Sequence, residues 1–295
     1  MTTRGAALAA ARARLAAAGV EGAALDARVL LCHVLGCGPE VLVGWPERAL
    51  APADAASFAA LVGRRARHEP VAYLTGRREF WGARFRVSPA TLIPRPDSET
   101  LVEAALAGVA ARDVAVDILD IGTGTGCLLI ALLRELPAAT GLGVDIVPAA
   151  LDLARANADE LGVSARASWS GTMPDAHARF GLVIANLPYV PRDALSGLAP
   201  DVRDYEPASA LDGGPDGLEA FRAVLPGLPA LAAPGARILL EVGQGQADSV
   251  EDVALASGLE PVRRWRDLAA VDRVVELRVA ATPVRNDLGK RGDPA

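Results

Sequence analysis

A single lysine, Lys290, stands against 29 arginines in this chain of 295 residues. Together with heavy alanine use, the imbalance reads as genomic base composition and carries no functional meaning. Cysteine is scarce as well: Cys32, Cys37 and Cys127, an odd number with no C-x-x-C pair. Such a set argues for reduced structural thiols. Even with His33 beside Cys32 and Cys37, a zinc site is one ligand short, so no metal is expected. No apolar run nears the roughly 20 residues of a membrane-spanning helix. The alanine-rich opening is interrupted by Arg12 and Arg14, which disqualifies it as the apolar core of a secretory signal. What is present is ordinary for a globular chain. Hydrophobic residues make up 51% and charged residues 22%, enough for one large core or two modest ones and too many apolar groups for wholesale disorder. A soluble cytoplasmic protein is the expectation.

The charge is unevenly placed. Residues 1–95 hold 13 basic and 7 acidic side chains, net +6, whereas residues 96–295 hold 17 basic and 29 acidic, net −12. The asymmetry predicts two bodies with different partners. The modest positive charge of the first suits RNA or an acidic protein surface.

Over residues 8–69 the pattern is helical. Leu25, Val29, Leu30 and Val34 read as one face of an amphipathic helix turned towards a small core. Gly36-Cys37-Gly38-Pro39 ends that helix, and Pro52-Ala53-Asp54 opens another through Phe58, Leu61 and Val62. Residues 1–76 are therefore expected to form a helical bundle. Residues 79–87 mix aromatic and β-branched side chains around Gly82, the texture of a β-hairpin, and 77–95 is read as a hairpin linker. Pro94, Pro96 and Asp97 introduce a helix over 98–109.

From Val114 onward strands and helices alternate. Strands are expected at 117–121, 141–146, 182–185, 237–241 and 273–279, with helices from the glycine turn to about 136 and over 148–161. The alternation predicts an α/β, Rossmann-like fold over 96–281: a doubly wound, mostly parallel sheet covered by helices on both faces. Residues 282–295 are polar, contain Gly and Pro, and read as a disordered tail.

In such a sheet, ligands sit at the carboxyl ends of the strands. Gly122-Thr123-Gly124-Thr125-Gly126 lies there, between the first strand and its helix, and glycine lets the backbone turn sharply against a ligand. Asp145 ends the next strand, where a carboxylate can accept both hydroxyls of a ribose. This pair fits a dinucleotide or S-adenosylmethionine, and a tight turn without a ligand is the plainest alternative. The turn lacks the G-x-G-x-x-G form of a pyrophosphate site. Asp120 just before it would repel phosphate and would suit the cationic methionine end of S-adenosylmethionine.

The run Leu182-Val183-Ile184-Ala185-Asn186-Leu187-Pro188-Tyr189 passes from a buried strand into an amide, a proline and an aromatic ring. Pro188 biases Leu187 towards an extended backbone, so the Leu187 carbonyl can project into a cleft. With the Asn186 side-chain oxygen it makes two acceptors for the two N–H donors of a planar –NH2 group. The Tyr189 ring can lie flat against that group. The arrangement suits methylation of an amide or exocyclic amine. Its nitrogen is a poor nucleophile that needs orientation and stabilisation of developing positive charge. A turn with a half-buried tyrosine is the structural alternative.

These residues, and longer blocks around them, resemble the PrmC/HemK family of peptide-chain release factor glutamine N(5)-methyltransferases. The resemblance spans about 25–279. It includes 65–76 (RARHEPVAYLTG), Glu79-Phe80-Trp81-Gly82, and Leu92-Ile93-Pro94-Arg95-Pro96 with Glu99. Further on it takes in Tyr205-Glu206-Pro207, 211–218 (LDGGPDGL) and Glu241-Val242-Gly243-Gln244. It implies an S-adenosylmethionine-dependent methyltransferase domain joined to an N-terminal domain that docks a class I release factor. The implied reaction is methylation of the glutamine side chain in that factor's Gly-Gly-Gln loop. Carried over by position, Asp120, Gly122, Thr123, Gly124, Thr125, Gly126, Asp145 and Asn186 would contact S-adenosyl-L-methionine. Asn186, Leu187, Pro188 and Tyr189 would clamp the substrate amide. Trp169, in Ser168-Trp169-Ser170, takes the place of the family residue that borders the adenine, with a core aromatic as the other reading.

At the second position of the corner the family has proline and this chain has Leu187, which keeps the carbonyl and gives up the rigidity. Asn-Leu-Pro-Tyr also occurs in enzymes similar to ribosomal RNA adenine dimethyltransferases. The alternatives are therefore a glutamine in another protein, such as a ribosomal one, an adenine-N6 nucleic-acid methyltransferase, and a cofactor-binding module without catalysis. The net −12 of the catalytic part argues against nucleic acid, whose recognition rests on phosphate contacts.

Overall fold

The computed structural model describes residues 2–109 and 111–280; the expected tail over 282–295 lies outside the described residues. The chain begins with a bundle of helices: α1 (Arg4–Ala17), α2 (Ala23–Leu35), α3 (Pro39–Gly44), α4 (Pro52–Arg65) and α5 (Val71–Thr75). Thr3 caps α1 by accepting the Ala6 N–H at 3.2 Å, a satisfied orphan donor at a helix start. Gly36 stops α2 with a left-handed φ of +60°, as a C-terminal glycine does.

The inward stripe expected on α2 is only partly right. Leu30 is buried and Val34 packs at the edge of the core, but Leu25 is 54% exposed and Val29 37% exposed. The buried face is Ala23, Ala27, Leu30 and Leu31, spaced i, i+4, i+7, i+8. Two of its four members are alanines, so weighting by side-chain size picked the wrong edge of the stripe.

The hairpin forms as expected, with β1 (Arg77–Phe80) paired to β2 (Ala83–Arg86). Trp81 and Gly82 turn the chain, both with positive φ (+48° and +64°), the backbone hand that two-residue hairpins favour. In chain order the hairpin connects two bodies; in space it is a layer of the second one. Phe80 and Phe85 meet edge to face, ring centroids 6.2 Å apart, inside the α/β core. Asn157 binds both the N–H and the carbonyl of Arg86, at 2.7 and 3.1 Å.

After α6 (Glu99–Ala107) come β3 (Asp117–Ile121), α7 (Cys127–Glu135), β4 (Thr140–Val144), α8 (Pro148–Glu160), β5 (Ala167–Ser170) and β6 (Phe180–Ala185). They are followed by α9 (Pro200–Arg203), α10 (Glu219–Val224), α11 (Leu228–Leu231), β7 (Ala232–Glu241), α12 (Ala247–Ala256), β8 (Leu259–Arg266) and β9 (Asp272–Val279). The strands form one sheet in the order β5-β4-β3-β6-β7-β9-β8. The first five are parallel, and β9 runs antiparallel to both its neighbours. This is a Rossmann-like, doubly wound architecture. The chain works outward from β3 through β4 to β5, then returns to the other side of β3 with β6. That reversal opens a crevice at the carboxyl end of β3, the place where such sheets bind ligands.

Neither β5 nor β8 was expected. Both are edge strands, and β8 carries Arg263, Arg264 and Arg266, so neither shows the continuous apolar run of a central parallel strand. No helix among the described residues is long and apolar enough to cross a membrane.

Candidate active site

The glycine turn begins where β3 delivers Asp120 into the interior. The Asp120 carboxylate is fully buried; its Oδ2 accepts the Thr123 hydroxyl at 2.6 Å, and its Oδ1 has no partner among the described residues. Burial pushes its pKa up to about 7, partly offset by the Thr123 hydrogen bond and reinforced by Asp145. A cation arriving at the turn would find this carboxylate already in place. Gly122, Gly124 and Gly126 all have positive φ, +74°, +53° and +77°, the backbone region that favours glycine at those three positions. The N–H groups of Gly122 and Thr123 both bind the Val144 carbonyl, at 2.8 and 3.0 Å, so the turn is tied to the next strand. Asn157 donates to the Thr125 carbonyl at 2.9 Å.

Asp145 stands at the end of β4. Its Oδ2 accepts the Gly124 N–H and its Oδ1 the Val147 N–H, each at 2.9 Å. Each oxygen keeps a second lone pair for a hydroxyl donor.

These residues open onto a cavity of about 610 Å³, a size that suits a small cofactor and a side chain together. Of the expected site residues, the structure brings Gly122, Thr123, Gly124, Thr125 and Asp145 to one wall and Asn186, Leu187 and Pro188 to another. Asp120, Gly126, Tyr189 and Trp169 are not on the walls. Asp120 lies under the turn. Gly126 opens α7, where an added Cβ would come within 2.9 Å of Trp169 and 3.0 Å of Ile130.

Trp169 packs against the core, the second of its two expected readings. It belongs to strand β5 rather than to a loop, and its ring lies against Gly126 and Gly143, so close that a Cβ on Gly143 would sit 2.5 Å from it. The alternation of side chains along a strand turns the ring onto the sheet's packed face, while Gly171, Thr172 and Met173, just past β5, take the cavity wall.

At the corner after β6, Asn186 is half-buried and faces the cavity, and Leu187 is buried with its Cδ2 against Gly122. Asn186 Nδ2 donates to the Ser98 hydroxyl at 3.2 Å, which leaves Oδ1 as the atom it presents. Neither that oxygen nor the Leu187 carbonyl has a protein donor among the described residues. Two acceptors on adjacent residues are thus available at one wall. Tyr189 is held at both ends: Gln246 Nε2 donates to its carbonyl at 2.8 Å, and its hydroxyl donates to Glu241 Oε1 at 3.3 Å.

Sequence reasoning missed Ser98, Arg95 and Gln246 as site residues. Ser98 and Arg95 line the cavity, and the buried Glu206 carboxylate holds their loop by accepting the Ile93 N–H at 2.9 Å and pairing with Arg95. Glu206 thereby joins the sequence blocks 92–96 and 205–207 in space.

Comparison with known proteins bears on the same two bodies. Residues 6–76 match the family described as PrmC N-terminal domain, and residues 118–204 match one described as methyltransferase domain. A release factor glutamine methyltransferase of Cereibacter sphaeroides is 45% identical over 280 residues, covering 93% of this chain and 98% of that protein. One from Rhodospirillum rubrum is 41% identical, covering 92% of this chain and 84% of that protein. Among solved structures, a protein-(glutamine-N5) methyltransferase (release factor-specific) from Alicyclobacillus acidocaldarius is 28% identical, covering 67% of this chain and all of that one, with a TM-score of 0.40.

Proposed function

The chain belongs to the release factor glutamine methyltransferase family, and from that membership we propose that it methylates the side-chain nitrogen of the glutamine in the Gly-Gly-Gln loop of a class I peptide-chain release factor, using S-adenosyl-L-methionine. The observation that carries this reading is the pair of free acceptors, Asn186 Oδ1 and the Leu187 carbonyl, on the cavity wall that faces the glycine turn.

The residues present fit the cofactor. Asp120 offers a buried carboxylate with an unpartnered oxygen to its cationic end, Gly122 to Gly126 let the backbone approach closely, and Asp145 offers two oxygens to the ribose hydroxyls. When bound, S-adenosyl-L-methionine supplies an electrophilic methyl on a sulfonium. The remaining work falls to this chain. A primary amide has two N–H donors in one plane and a delocalised lone pair. Asn186 Oδ1 and the Leu187 carbonyl hold both donors, which turns a face of the nitrogen towards the methyl and converts a collision into an oriented encounter. As the new N–C bond forms, positive charge grows on nitrogen, and the same two oxygens stabilise it without having to reorganise. The methyl's bond to sulfur breaks as the N–C bond forms, and one amide proton is then lost to water. Tyr189, anchored at its carbonyl and hydroxyl, is assigned to brace the corner from behind the cavity wall. The helical domain is assigned to dock the release factor in the cytoplasm.

Incubation with methyl-labelled S-adenosylmethionine and purified release factor, followed by mass spectrometry, tests this. Label on the loop glutamine, absent from a Gln-to-Ala loop variant, is the expected outcome. Label on RNA, or on a different residue of the factor, overturns it.

A further inference from the structure

An asparagine side chain has an oxygen face and a nitrogen face of nearly the same shape, and the proposed reaction can use only the oxygen face. A serine hydroxyl does not by itself choose between them, because it can accept from Nδ2 or donate to Oδ1. The choice must come from what the hydroxyl does with its own proton.

We propose that Ser98 and Glu241 are positioning residues that set the polarity of the corner: the Ser98 hydroxyl donates its hydrogen bond to Glu241, so the Ser98 oxygen accepts from Asn186 Nδ2 and Asn186 Oδ1 is turned to the substrate amide. This deepens the function proposed above and rests on it.

The three residues come from separate elements, Ser98 at the start of α6, Asn186 after β6 and Glu241 at the end of β7. Ser98 and Glu241 are both buried. Polar groups in the interior need partners, and the Ser98 O–H donates to no acceptor among the hydrogen bonds of the described residues. Glu241 Oε1 accepts the Tyr189 hydroxyl and its Oε2 is buried with no partner among the described residues, an open acceptor for the neighbouring Ser98 hydroxyl. An ionised carboxylate can only accept, so the proton of Ser98 has one favourable direction. With that proton engaged, only lone pairs remain towards Asn186, in keeping with the 3.2 Å contact to Nδ2. Hydrogen bonds arranged head to tail in a low-dielectric site polarise one another. Arg273 on β9 does not take over the carboxylate, being paired instead with Asp267 at 3.0 Å and Asp97 at 3.3 Å.

The other titratable groups facing Glu241 are Tyr189, Asp97, Arg273 and Cys127 at the start of α7. Burial pushes Glu241 up to about 7, so acidification puts a proton on it. A protonated Glu241 can donate to Ser98, and the preference for the oxygen face of Asn186 is then lost.

Ser98→Ala, Ser98→Thr, Glu241→Gln and the Ser98→Ala/Glu241→Gln double variant test this at saturating S-adenosylmethionine, with release factor as substrate. Removing one preorganised polar contact of this kind lowers turnover by about 10²-fold; that fall in kcat is expected for Ser98→Ala and Glu241→Gln. Ser98→Thr, which keeps the hydroxyl, should return to within about threefold of wild type. The double variant should be no slower than either single one, because residues acting as a unit are not additive. Calorimetric affinity for S-adenosylmethionine should stay unchanged throughout, which also reports that each variant is folded. Wild-type kcat should fall as pH drops below about 7, and Ser98→Ala should lose that dependence. Full turnover in Ser98→Ala, or a Ser98→Thr as slow as Ser98→Ala, overturns the proposal. If the wild type itself does not methylate the loop glutamine, the functional reading has failed instead, and the two failures are distinct.

Discussion

Gly124 donates its backbone N–H to Asp145 Oδ2 at 2.9 Å, so the acid that closes β4 pins the turn that closes β3. The carboxylate is oriented before any ligand reaches it, and its affinity contribution is not spent on ordering a mobile side chain. Asp145→Asn keeps one acceptor for the turn and loses the charge. Charged hydrogen bonds contribute about 1.5–3 kcal/mol each, so the Kd for S-adenosylmethionine should rise about tenfold in Asp145→Asn and about a hundredfold in Asp145→Ala. Isothermal titration calorimetry reads both.

Asn186→Ala removes one of the two amide acceptors and leaves the glycine turn untouched. Loss of one preorganised polar partner costs about 10²–10³ in kcat, and that loss is expected with cofactor affinity within about twofold of wild type. Unchanged turnover would mean that the substrate nitrogen is held elsewhere.

Leu187→Pro should keep activity within about threefold, since the acceptor is the backbone carbonyl and proline retains it. Trimming a buried side chain that packs against Gly122 should cost stability on the order of 1 kcal/mol, read from urea unfolding. Complete loss of activity in a folded Leu187→Pro protein would contradict the backbone role.

Asp120 carries a pH signature. Burial raises its folded-state pKa to about 7, so the fold favours the neutral form. That contribution is fully present below the ordinary carboxylate range near 4 and is lost as pH rises through about 7. The melting temperature of the free protein should therefore fall between pH 5 and 8 relative to Asp120→Asn. A cationic ligand favours the ionised form, so affinity for S-adenosylmethionine should improve by about tenfold from pH 6 to pH 8, in the wild type and not in Asp120→Asn.

Gly143 and Trp169 are a packing couple. A Cβ on Gly143 would lie 2.5 Å from the indole ring, and such overpacking costs about 1–3 kcal/mol. Gly143→Ala should show that loss by chemical denaturation, and a smaller loss in a Trp169→Leu background, where the ring is gone.

Where signals were local, the chain could be read directly. The apolar β3 and β6 end in a glycine turn and in Asn186 within a few residues, and both ends reach the cavity. Asp145 was placed by the same logic. What escaped depends on distant partners. Ser98 meets Asn186 across 88 residues of sequence, and Tyr189 meets Glu241 across 52; no periodicity records such a meeting. Strand β8 escaped because its arginines hide an edge strand, and two readings stayed open for Trp169 because one residue's position along β5 decides whether a ring faces ligand or core. On α2, Ala23 and Ala27 bury more usefully than Leu25 and Val29, since small side chains let α1 approach.

The most direct test of the account is a crystal structure with S-adenosylhomocysteine and a Gly-Gly-Gln peptide. The glutamine nitrogen is expected within about 3.2 Å of both Asn186 Oδ1 and the Leu187 carbonyl, with the nitrogen's open face towards the cofactor sulfur. A glutamine amide bound away from these two oxygens, or Asn186 presenting Nδ2 to it, would contradict it.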